Sequence, residues 1–104
     1  MVSTRIAVAS AALWAAVAGA QGSDPTIARD IAASCSNCHG TNGASVGQVA
    51  PLAGAQRADI IVKMQEFKSG KRPGTIMPQL SKGYTDDQIE VAATWFALQS
   101  APRK

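Results

Sequence analysis

The sequence predicts an all-α domain whose loops wrap around something other than its own side chains. Three helical segments stand out, and no run alternates in the manner of a strand. Two long segments rich in Gly and Pro separate the helices, "GTNGASVGQVAPLAGAQ" and "GKRPGTIMPQLSKGY". Loops that long in so small a domain are usually functional.

Asp24 followed by Pro25 reads as an N-cap with proline at the first helical position. Ile27, Ala28, Ile31 and Ala32 then recur at helical spacing and lead into "SCSNCHG". A second helix is predicted over Arg57 to Ser69, with Ile60, Ile61, Met64 and Phe67 on one face and Gly70 as its stop. For the third, Thr85 and Gln88 form a capping box, Tyr84 and Ile89 occupy the staple positions, and Ile89, Ala92, Ala93 and Phe96 make the inner stripe.

The chain opens on "MVSTRIAVASAALWAAVAGAQG". One cation (Arg5), an uncharged run over Ile6–Ala18 and "AGA" describe a secretory signal, with cleavage expected near Ala20. A spanning helix needs about 20 apolar residues, so no stable membrane insertion is expected after cleavage. The expected division is therefore a signal over residues 1–20 and one domain over 21–104, located in the periplasm. Loss of Arg5 lowers the formal net charge of +3 by one, and no basic run is interleaved with aromatics, so nucleic acid is not an expected partner. With Trp95, Tyr84, Phe67 and Phe96 as its aromatics, a domain this small needs a disulfide, a metal or a cofactor to complete its core.

Both cysteines and the lone histidine fall within Cys35–His39. A disulfide across two residues closes a tiny loop and constrains little of the unfolded chain. Structural zinc needs four Cys or His ligands, more than the chain offers. A thioredoxin-like dithiol wants a βαβ setting. The remaining reading is C-x-x-C-H, covalent attachment of one haem c through Cys35 and Cys38, with the His39 imidazole reaching the iron. For the second axial position the candidates are Met64, Met77, the lysines and water. Met64 lies in the apolar stripe of a helix, where methionine is ordinary packing. Met77 is expected in an extended loop, because Pro78 biases it away from helix, and it is the favoured ligand. The Pro51 carbonyl is a candidate acceptor for the other ring nitrogen of His39, the alternative being a plain turn proline ahead of Leu52.

"CSNCHG", Pro51-Leu52, Met77-Pro78 and a terminal helix bearing "WFALQ" together resemble the small bacterial class I cytochromes c, over Ile27 to about Gln99. The resemblance implies that fold around one covalent haem, with His39 and Met77 as iron ligands and Pro51 supplying its carbonyl to the histidine. It also implies crossing first and last helices, where Ile27, Ile31, Trp95 and Phe96 would meet. "GASVG", "FKSGKRPGTIM" and "KGY" are similar to the haem subunits of flavocytochrome c sulfide dehydrogenases, which take electrons from a flavoprotein; known versions include two-haem forms, whereas this chain has one attachment motif.

The expected function is electron transfer without enzyme activity of its own, and no catalytic residue is nominated. Three possibilities stay open: an electron-accepting subunit of a flavoprotein dehydrogenase, a diffusible carrier between respiratory or phototrophic complexes, or a haem sensor or enzyme with an open sixth position. Lys63, Lys68, Lys71, Arg72 and Lys82 form either a docking rim for redox proteins or a solvated charged surface.

Overall fold

A computed structural model describes residues 24–102; the expected signal segment lies outside the described residues. The described part is all-helical: α1 (Pro25–His39), a 3-10 turn (Thr41–Gly43), α2 (Arg57–Ser69), α3 (Met77–Ser81) and α4 (Asp86–Ala97). The three predicted helices form where their capping residues place them. Asp24 Oδ1 accepts from the Thr26 N–H at 2.8 Å and the Thr26 hydroxyl at 2.6 Å, bonds that hold its carboxyl below the usual carboxylate range. Gly70 stops α2 in the left-handed conformation. Both halves of the Thr85–Gln88 capping box are present.

α1 packs on α4, and α4 on α2, which runs antiparallel to it. Arg57, at the start of α2, donates to Thr94 Oγ1 at 2.8 Å and pairs with Glu90 in the second half of α4. At the other end of the pair, Lys68 and Gln65 both donate to Asp86. Ile89, Ala92, Ala93 and Phe96 are all buried, as their spacing predicts. On α1 the buried positions are Ala28 and Ala32, with Ile31 packed against the core. Ile27, expected at the helix crossing, is instead 55% exposed: the small alanines admit close approach of α4 and leave Ile27 on the flank.

The core is thin. Among the described residues the buried apolar ones are Ile60, Ile89, Phe96 and five alanines, Ala28, Ala32, Ala53, Ala92 and Ala93. Val46, Val49, Ile76 and Leu80 stay exposed on the two long connections.

Those connections are folded rather than structureless. Gly43 is buried with φ +75°, and its carbonyl accepts the N–H groups of Leu52 (2.8 Å) and Ala53 (3.0 Å). A Cβ on Gly43 would lie 2.7 Å from Phe96 Cδ1, so only glycine lets the loop rest on α4. In the second connection Met77 was expected in extended backbone, and the structure corrects this: Met77 opens the helical turn of α3, with Pro78 in its first turn. Proline there removes an N–H that has no intrahelical partner anyway and presets a helical φ, which outweighs its bias on the preceding residue.

Gly43→Ala is expected to cost about 2–4 kcal/mol, from left-handed backbone and displacement of the Phe96 ring, measurable by thermal unfolding. Asp86 is held below its ordinary value of 3.8 by the Gln65 and Lys68 hydrogen bonds and the Lys68 charge. Its contribution to stability is therefore complete above that value and is lost as pH falls through the lowered one. Stability measured against pH should lose this acid-side component in Asp86→Asn.

Candidate functional site

Cys35, Cys38 and His39 occupy the last two turns of α1. Three and four residues apart, Cys35, Cys38 and His39 share one side of the helix. The helix ends at His39 because Gly40 takes φ +86°, and a Cβ on Gly40 would sit 2.9 Å from Ser45 N. The chain thus folds back over the helix end, and this return brings the Ala50 carbonyl 2.6 Å from His39 Nδ1.

A carbonyl oxygen only accepts, so Nδ1 is the donor, and in the tautomer this bond selects the lone pair lies on Nε2. That is the arrangement of a metal-ligating histidine with its second nitrogen anchored. The anchor is Ala50 and not Pro51, the residue proposed from spacing. Proline restricts the residue before it to extended backbone, so the carbonyl placed by Pro51 is its predecessor's. Pro51 itself is exposed.

The thiols are unbridged, Cys35 half-buried and Cys38 exposed. Burial raises the Cys35 thiol, against a smaller opposing effect from the Ser34 hydroxyl. Both cysteines also lie toward the C-terminal, negative end of α1, which disfavours thiolate. Reactive dithiols show the opposite environment, at helix N-termini or beside cations. No three His, Cys, Asp or Glu side chains among the described residues gather as a metal-ion site. The donor set suits a different group: two unbridged thiols on one side of a helix and an imidazole held through Nδ1. These residues fit a covalently attached haem.

Met77 stands apart from this cluster, at the start of α3, half-buried. α3 packs chiefly on α2, and α1 on α4. The approach to Met77 is fastened to α2 by Arg72, which pairs with Glu66 Oε2 (2.7 and 2.8 Å), donates its backbone N–H to the Glu66 carbonyl and lies over the Phe67 ring at 5.8 Å. Ile76 precedes Met77 and Leu80 follows three residues later; both are exposed, so the methionine sits in an apolar segment. Met64 packs against the core cluster of Ala32, Ile60 and Phe96.

No family model matches the chain. The cytochrome subunit of sulfide dehydrogenase from Chlorobaculum tepidum is 35% identical over 66 residues, covering 64% of this chain and 60% of that protein. This chain is similar to c-type cytochromes. A cytochrome c-552 from Acidithiobacillus ferridurans is similar as well, at 33% identity over 63 residues, 61% of this chain and 27% of that one. The chain therefore spans less than two thirds of the length of either relative.

Spacing singled out Cys35, Cys38, His39 and Met77, of which the structure gathers the first three at the end of α1; it missed Ala50, the Arg72–Glu66 pair and a hydrogen bond from Tyr84 to Ser34. The restriction that proline imposes on its predecessor was the one local signal for Ala50.

If each thiol forms its own bond to haem, Cys35→Ala and Cys38→Ala should each leave a single attachment or no holoprotein. The Cys35→Ala/Cys38→Ala double variant should carry none. Mass spectrometry of the denatured protein checks this, and undiminished covalent haem in the double variant would sink the assignment.

Proposed function

We propose that the chain is a periplasmic one-electron carrier, built on one c-type haem attached through Cys35 and Cys38 and ligated by His39 and Met77. The observation that carries the reading is the His39 Nδ1–Ala50 O bond at the end of the helix that bears both thiols. When bound, the haem supplies a one-electron iron couple whose potential a methionine ligand raises.

Each residue then has a physical task. The Cys35 and Cys38 thiols would hold the haem to α1, and the Ala50 carbonyl fixes the orientation of the imidazole. Met77 presents a neutral thioether from the second connection. Its competitor Met64, on α2, packs against the core cluster of Ala32, Ile60 and Phe96. Were His39 and Met77 both to hold the iron, they would leave no position for a substrate, which favours a carrier over an enzyme or sensor.

The export signal read from residues 1–20 supports the periplasm. No helix of the described residues is long and apolar enough to cross a membrane. As for the partner, similarity to a cytochrome subunit of sulfide dehydrogenase supports an electron-accepting role beside a flavoprotein that oxidises sulfide. The single attachment motif favours a second reading, a free diffusible carrier. Of the candidate docking cations, Lys68 and Arg72 are engaged by Asp86 and Glu66. Lys63, Lys71 and Lys82 make no ion pair among the described residues and are the better candidates for a rim.

Met77→Ala should give a holoprotein that binds carbon monoxide and has a lowered potential. Met64→Leu, a near-isosteric change, should keep the parent spectrum and cost less than about 1.5 kcal/mol. The reverse pattern would overturn the ligand assignment. Capture of the mature holoprotein from periplasm separates the two partner readings: a flavin spectrum in the captured material supports the subunit, and its absence supports the free carrier.

A further inference from the structure

Tyr84 is the point where all four helices meet. Its backbone N–H donates to the Ser81 carbonyl at the end of α3 (3.3 Å), and its own carbonyl accepts Lys68 Nζ from α2 (2.7 Å). The next residue, Thr85, caps α4. Its phenol hydroxyl lies 2.6 Å from Ser34 Oγ on α1. Ser34 already donates its own proton to the Ile31 carbonyl at 2.7 Å, so the phenol is the donor in the shared bond.

The backbone bonds would survive a change of side chain; of these hydrogen bonds only the hydroxyl's goes to α1. Ser34 neighbours Cys35, with Oγ 4.0 Å from Sγ. On the other side, Ser81 is fully buried and bonds through Oγ to the Pro78 carbonyl, beside Met77. The two helices bearing the proposed ligands pack chiefly on different partners, α1 on α4 and α3 on α2. A polar path from Cys35 through Ser34, Tyr84, Ser81 and Pro78 to Met77 therefore links them directly.

We propose that the Tyr84 hydroxyl is a positioning group that sets the Met77-bearing helix relative to the haem-attachment segment, and thereby how firmly Met77 keeps its place against a competing ligand. This rests on the His39/Met77 ligation proposed above. If the bond to Ser34 favours the closed arrangement, its loss raises the fraction of protein in which the methionine position is open. Affinity for an added ligand rises in proportion to that fraction.

The test uses ferric holoprotein, imidazole as the competing ligand, and the variants Tyr84→Phe, Ser34→Ala, their combination, and Met77→Ala. Each single variant should retain covalent haem and bind imidazole about fivefold more tightly, the scale of one net hydrogen bond, with a weaker methionine–iron absorption band. The combination should bind no more tightly than either single variant, because both remove the same bond. Lower thermal stability with imidazole affinity and the absorption band unchanged would mean the hydroxyl only braces the fold, and overturns the inference. If Met77→Ala tightens imidazole binding while neither Tyr84→Phe nor Ser34→Ala does, the inference fails and the ligation stands. If Met77→Ala changes nothing, the ligation reading fails and takes the inference with it.

Discussion

The contact between Gly43 and the Phe96 ring is the constraint on which the site depends. Phe96 is 1% exposed and belongs to the core cluster shared by α1, α2 and α4. Because residue 43 lacks a Cβ, the loop after α1 can lie directly on that ring. Once it does, the Gly43 carbonyl collects the N–H groups of Leu52 and Ala53, and the Gly54 N–H donates to the Phe96 carbonyl at 2.9 Å. Ala50 is thereby delivered to His39 Nδ1. A packing contact remote from the imidazole thus decides which of its nitrogens keeps a lone pair. Chemistry at Nε2 is inherited from the core.

The same thin core explains why the chain carries its function at its loops. Alanines let helices approach closely but bury little surface, and each contributes far less than a buried Leu or Phe. Val46, Val49, Ile76 and Leu80, which would supply the missing area, lie exposed on the two connections that flank the thiol cluster and Met77. A flat apolar group attached through α1 is a natural complement to such side chains. Cofactor binding and folding would then be one process, as expected for a domain of this size.

What was legible in the sequence was local. Asp24-Pro25, Gly70 and the Thr85–Gln88 box each signal through bonds made within a few residues, and α1, α2 and α4 start and stop where those signals lie. The inner stripe of α4 was equally readable, since periodicity reports burial directly. The cluster at Cys35–His39 was legible because one helical turn suffices to build it. The misplaced features depended on competition or on distant packing. At Met77-Pro78 two opposing effects of proline met, and the first-turn preference prevailed. Pro51 was one residue off because the register of a Gly-rich loop is decided by its seat on Phe96. Ile27 yielded to Ala28 because close approach of α4 favours the smaller side chain. The Tyr84–Ser34 bond joins residues 50 positions apart, and nothing local announces it.

The two faces of the proposed haem site are held in unequal ways, and this bears on how the site would move. On the histidine side, both attachment residues and the imidazole belong to one helix of 15 residues packed along α4, and the ring is tied down by Ala50. On the methionine side, Met77 begins a helix of five residues, too short to be stable alone. That helix relies on α2, on the Arg72–Glu66 pair before it, on Ser81 at its end and on Tyr84 after it. Arg72 and Glu66 are themselves partly solvent-exposed, at 38% and 32% for their side chains, so their pairing is weakened by screening and salt. On the ligation proposed above, local opening would begin at the second connection while α1 stays in place. Control of the methionine position then falls to the contacts at the far end of α3, of which the fully buried Ser81 hydroxyl is the one best shielded from water. That is the end at which Ser81 is sealed and Tyr84 reaches across to α1.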